Sequence, residues 1–215
     1  MVLRRIFEDK PTGFFIDVGA HHPKRFSNTY YFYRRGWRGI NIDATPGTKR
    51  LFDKARPRDL NLEVAVAEHP RDVVFYEFTE RALNSASRNS PADRGLGAAA
   101  VAREHLLRAE PLRDLMRRHL PPGTTVDFLS VDVEGMDLEV LQSNDWRVVR
   151  PALVLVECWG VRGEQVVETP EYDFMVAQGY AFCAKTFSTV FFRENNSRWG
   201  MAEVPPGPRP AVEAP

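Results

Sequence analysis

Four acidic residues, Asp17, Asp43, Asp132 and Glu157, each lie in or at the end of a mostly apolar run. The runs begin at Gly13, Arg38, Val126 and Ala152. A short continuous apolar run fits a strand buried on both faces, as in a parallel sheet. In open α/β sheets, ligands bind outside the carboxyl ends of the strands. One acid at a strand end is ordinary. Four on one edge predict a cleft lined with carboxylates. Like charges gathered there repel, so a cation, a metal or polar hydroxyls should offset them.

The first run, Gly13-Phe14-Phe15-Ile16-Asp17-Val18-Gly19-Ala20, puts Asp17 near a strand end and Gly19 in the turn that follows. A glycine there permits a sharp turn and a close ligand approach. A dinucleotide would need more glycines, so that backbone N–H groups could hold its pyrophosphate. Here Gly19 is followed by Ala20-His21-His22-Pro23, and Pro23 has no N–H. S-adenosylmethionine carries no phosphate. Asp17 and the Gly19 turn suit its amino-acid end, and Asp43 suits its ribose hydroxyls. An acid in the Asp43 position serves dinucleotide folds as well. The missing glycines favour S-adenosylmethionine.

These residues need a scaffold of alternating strands and helices. Ser27 or Asn28 is predicted to cap a helix running to about Arg35, ended by Gly36. A strand over 38–43 follows. Thr45-Pro46 then reads as the start of a helix to about Ala55. That completes a βαβα unit. Residues 61–67 read as a third strand and 73–78 as a short edge excursion. Residues 79–100 read as a mobile loop. From Val101 to Leu120 the leucine spacing predicts a helix, kinked or broken at Pro111. Strands over 126–132 and 152–157 follow, with helices from Asp137 and over 171–178. Residues 180–185 and 189–193 read as a terminal hairpin. The proline-bearing segment 201–215 reads as a loose tail.

Composition narrows the partners. Lys+Arg and Asp+Glu balance at 29 each, which argues against nucleic-acid and membrane partners. Cys158 and Cys183 show neither metal-ligand spacing nor a disulfide framework, so each reads as a structural thiol. No leader-like apolar run follows Met1 and no stretch is long enough to span a bilayer, so a cytoplasmic location is expected. A homo-oligomer stays open.

Three blocks carry a resemblance: Phe15–Ala20, Trp37–Ala44 and Asp127–Leu141. Together they resemble FkbM-type S-adenosylmethionine-dependent methyltransferases, over roughly residues 13 to 193. The resemblance implies an α/β, class I methyltransferase (Rossmann-like) fold. Its seven-stranded, mostly parallel sheet carries helices on both faces, with the last strand antiparallel. It implies a methyltransferase domain over 1–200, followed by the 201–215 tail. It also implies S-adenosyl-L-methionine as donor, contacted by Asp17, Gly19, Ala20, Asp43 and Ala44. The acceptor would be a hydroxyl of a sugar or natural product, a small molecule or a glycan. Related metal-dependent O-methyltransferases bind Mg²⁺ through acids after the fourth and fifth strands. By that likeness Asp132 and Glu157 would be metal ligands, and Glu134 the base or a third ligand. Asp132 and Glu134 are then the catalytic pair. Two alternatives stand beside this: a nicotinamide-dependent oxidoreductase, and a non-catalytic S-adenosylmethionine-binding domain.

Overall fold

The run Phe14–Val18 forms strand β1 in the computed structural model, which describes residues 2–87 and 100–197. Strands are numbered along the chain. Around β1 lie β2 (Arg38–Asp43), β3 (Leu60–Glu63), β7 (Phe128–Val131), β8 (Leu153–Glu157), β9 (Tyr180–Lys185) and β10 (Thr189–Glu194). They make one seven-stranded sheet in the order β3-β2-β1-β7-β8-β10-β9. The first five strands in that order are parallel, and β10 is antiparallel to both its neighbours. The terminal hairpin expected from the sequence is therefore present, in a Rossmann-like arrangement.

Alternating side chains explain the continuous apolar runs. One face buries Phe15, Phe128, Leu155 and Phe191. Leu3 and Phe7 pack there with Phe32 and Trp37, near helices α1 (Val2–Ile6) and α2 (Tyr30–Arg34). The other face buries Ile16, Ile42, Leu129, Val131 and Val154. It is covered from α4 (Leu112–His119), α5 (Asp137–Gln142) and α6 (Pro170–Ala177). Each fully buried side chain of this size stabilises by about 1.5–3 kcal/mol. The aromatic run after Asn28 thus serves the core, as its composition predicts.

A second, three-stranded sheet departs from expectation. It contains β4 (Ala65–Val66), β5 (Arg71–Phe78) and β6 (Val101–Glu110), in the order β4-β6-β5. The predicted strand 61–67 is split between the two sheets. The predicted helix from Val101 is a strand as far as Glu110, and helix begins only after Pro111. β6 pairs antiparallel with β5 along nearly its whole length. That pairing overrides the helical leucine spacing. Leu106 is left exposed while Leu107 packs on the small core. The residue before a proline disfavours helix, so the change of structure falls at Glu110.

Two helix starts also differ. Helix α3 spans Thr48–Ala55, not Pro46 onward, because Gly47 takes φ +85 just before it. The Glu63 carboxylate accepts from the Gly47 and Lys49 amides there. Helix α2 begins at Tyr30, and the Ser27 hydroxyl accepts from the Thr29 and Tyr30 amides. The tail 201–215, and residues 88–99 of the predicted loop, lie outside the described residues.

Candidate active site

The sheet register aligns the acids. Val18 pairs with Ile42 and Val131, and Val131 pairs with Val156. The next position on each strand is therefore Gly19, Asp43, Asp132 and Glu157, in one row. Asp17 does not share that row. It sits two positions earlier, opposite Asn41 and Ser130. The row explains Gly19. A Cβ built there would lie 1.7 Å from the Asp132 carbonyl oxygen, and its φ is +81. The glycine lets two chain segments meet, as well as making the sharp turn expected of it.

A cleft opens beyond this edge, lined by Asp17, Gly19, Ala20, Asp43, Ala44 and Asp132 among others. All five residues expected to contact the donor are thus brought together. Asp43 is held by two backbone amides. Its Oδ2 accepts from the His21 amide at 2.7 Å and its Oδ1 from the Thr45 amide at 2.8 Å. The Gly19 and Ala20 amides both donate to the Ile42 carbonyl oxygen. Three successive N–H groups are committed inside the chain, so this turn is a poor cradle for a pyrophosphate.

Asp17 is buried, and burial pushes its carboxyl above the usual range. The Thr29 hydroxyl, donating at 2.7 Å, and the Arg56 guanidinium oppose that rise. Arg56 is fully buried and donates to Thr29 Oγ1 at 2.9 Å. It also pairs with Asp59 at 3.1 Å. Sequence reasoning missed Thr29 and Arg56. A basic residue in an ordinary helix end gives no signal that it is buried.

At the other wall, carboxylate oxygens of Asp132, Glu134 and Glu157 all lie within 4.8 Å of one another. Asp132 and Glu157 share the row, whereas Glu134 arrives by a turn. Its φ is +60, so the convergence does not come from strand alternation. Oxygen-only ligands at such separations suit a hard divalent cation. Glu134 and Met136 line both this cleft and a second one, which holds Asp137, Glu157, Trp159 and Glu171. Trp159 meets Phe187 edge to face, with ring centroids 5.2 Å apart. Asp137 is buried, and burial, reinforced by Glu157, pushes its carboxyl up to about 7 despite hydrogen bonds from the Val133, Gly135 and Asp137 amides.

The model of the methyltransferase FkbM domain matches residues 17–182. The chain belongs to the FkbM methyltransferase domain family. The match begins at Asp17 and runs through both walls of the cleft to the hairpin strand β9. No match was found among curated proteins or among solved structures. Among the described residues of this FkbM-family chain, no helix is long and apolar enough to cross a membrane. Cys158 and Cys183 are both free thiols, as expected.

Proposed function

We propose that the chain is an S-adenosylmethionine-dependent O-methyltransferase with a class I methyltransferase domain over residues 1–200. The observation that carries this is the continuity of two clefts at one sheet edge. One holds Asp17, Gly19, Ala20, Asp43 and Ala44. The other opens beside it across Glu134 and Met136. Asp43 is the ribose acceptor, and Asp17 with the Gly19 turn faces the amino-acid end. The acceptor, a sugar or another small hydroxylated molecule, enters through the second cleft, past Trp159. The acidic lining and balanced charge argue against nucleic acid.

Methyl transfer forms a C–O bond as the C–S bond of the sulfonium breaks, and the thioether leaves. The acceptor hydroxyl must lose its proton. Alignment of the two reactants supplies much of the rate. Glu134 takes the proton, and Asp132 orients the acceptor beside it. The three clustered carboxylates fit Mg²⁺, with Asp132 and Glu157 as its ligands and Glu134 close enough to be a third. A bound Mg²⁺ would lower the pKa of the acceptor hydroxyl. Calorimetry with S-adenosylhomocysteine and, separately, NAD tests the donor assignment. Binding of the first and not the second is expected. The reverse would move the chain to the oxidoreductases.

A further inference from the structure

We propose that Asp137 and Ser85 are positioning residues that hold Glu134 in its left-handed backbone conformation and so aim its carboxylate at Asp132 and Glu157. The proposal rests on the role given to Glu134 above, but its geometry stands apart from that role.

Glutamate seldom adopts a φ of +60, and such a residue persists only where its surroundings over-determine it. Here the backbone is gripped on both sides of Glu134. The Val133 amide donates to Asp137 Oδ1 and the Gly135 amide to Asp137 Oδ2, each at 3.1 Å. One carboxylate therefore spans the two amides flanking Glu134. The Glu134 carbonyl oxygen accepts from the Ser85 hydroxyl at 2.7 Å. Gly135 takes φ +99, with nothing within 4 Å of a built Cβ. Conformation, not crowding, requires glycine there.

Both gripping residues are themselves fixed. Asp137 is the first residue of α5 and is buried. Ser85 is 1% exposed, and its backbone pairs with Tyr76 of β5 in both directions, at 2.8 and 3.2 Å. Its neighbour Asn84 donates to Thr45 Oγ1 at 3.2 Å, and the Thr45 amide donates to Asp43. The segment bridged to β5 thus reaches the ends of β2 and β7 through two adjacent side chains. A helix cap alone would need only a bond from Asp137 to its own first turn. It would not account for Ser85, which is bridged to β5 of the other sheet.

Asp137→Asn keeps the shape, but its NH₂ cannot accept, so one of the two amides loses its partner. Ser85→Ala removes the bond to Glu134 and the one that Ser85 Oγ accepts from the Ser87 amide at 2.9 Å, leaves Asp137 intact, and serves where the first variant folds poorly. Crystal structures of both variants read the φ of Glu134 directly. Mn²⁺ alone, followed by electron paramagnetic resonance, reads the convergence of the three carboxylates. We expect Glu134 to leave the left-handed region, with Mn²⁺ affinity reduced roughly tenfold. Asp137→Asn added to Glu134→Gln should cost no further Mn²⁺ affinity, because it acts through Glu134. S-adenosylhomocysteine affinity should stay close to wild type. Glu134 keeping its φ in both variants, or a further loss in the double variant, would overturn the proposal. If the wild-type chain bound no Mn²⁺, the metal assignment would fall and the crystal structures would still decide. If it bound no S-adenosylhomocysteine, the methyltransferase assignment would fall without touching the backbone result.

Discussion

Thr29 donates its hydroxyl hydrogen to Asp17 at 2.7 Å while accepting from Arg56 at 2.9 Å. One small side chain thereby sits between a buried carboxylate and a buried guanidinium. Thr29→Val keeps the volume and removes both bonds. Two buried charged groups then each lose a partner. The expected loss of stability is about 1–3 kcal/mol, read by chemical denaturation. A variant as stable as wild type would show that the triad is not coupled.

Gly19 and Gly36 separate conformation from crowding. Both have positive φ, +81 and +93, but only Gly19 faces a backbone atom. Gly36→Ala should cost about 1–2 kcal/mol, the ordinary penalty of a left-handed residue. Gly19→Ala must also push β1 away from the Asp132 carbonyl. Its loss should be larger, roughly 2–5 kcal/mol, and should carry weakened S-adenosylhomocysteine binding. Equal losses at the two positions would remove the row geometry as the reason for Gly19.

Much of this site was legible in the sequence because buried parallel strands write themselves as apolar runs. The strands that carry Asp17, Asp43 and Glu157, and the one that ends just before Asp132, lie within two residues of where those runs place them. The second sheet was not legible. β6 has leucines at spacings that fit a helix as well as a strand, and only its pairing with β5 decides between them. The bent approach of Glu134 was hidden for another reason. Glu-Gly announces a turn but not its hand, and the grip comes from Ser85, 49 residues earlier. The sequence marks Asp137 only as the start of a helix, not as a partner of the turn before it.

Asp43 is the sharpest test of the donor side. Asp43→Ala removes a carboxylate that faces the cleft and releases the His21 and Thr45 amides. If Asp43 holds the ribose, each charge-assisted bond lost is worth about 1.5–3 kcal/mol. S-adenosylhomocysteine affinity should fall roughly 10- to 100-fold in calorimetry, with the fold retained. Unchanged affinity in a folded variant would take Asp43 out of the donor site.

The buried acids predict how stability depends on pH. The carboxyl of Asp137 moves from an ordinary 3.8 up to about 7 in the folded chain, chiefly through burial. Between those values the folded state holds a proton that the unfolded state has released. Its contribution is therefore complete below about pH 4 and is lost as pH rises through 7. Asp17 and Asp59 are raised by burial as well and act in the same direction. In excess chelator, unfolding free energy should fall from pH 5 to pH 8. Asp137→Asn should flatten that slope, whatever its effect on absolute stability. An identical slope in the variant would assign the pH dependence to other groups.

The chemistry itself turns on Glu134. Its carboxylate is placed with those of Asp132 and Glu157, and it lines both the first and the second cleft. Glu134→Gln preserves size and hydrogen-bonding reach but cannot accept the acceptor's proton. If Glu134 is the base, kcat should fall by roughly 10²- to 10⁴-fold while S-adenosylhomocysteine affinity stays near wild type. A split of that kind separates proton transfer from donor binding, because a collapsed site would lose both. Chelation distinguishes the remaining roles. If Asp132 and Glu157 hold Mg²⁺, excess chelator should abolish turnover and added Mg²⁺ should restore it. Full turnover in chelator, together with a large Glu134→Gln effect, would leave Glu134 as a metal-independent base and Asp132 as an orienting acid. Normal turnover in the Gln variant would place the base elsewhere on the second cleft, where Glu157 and Glu171 are the carboxylates to examine next.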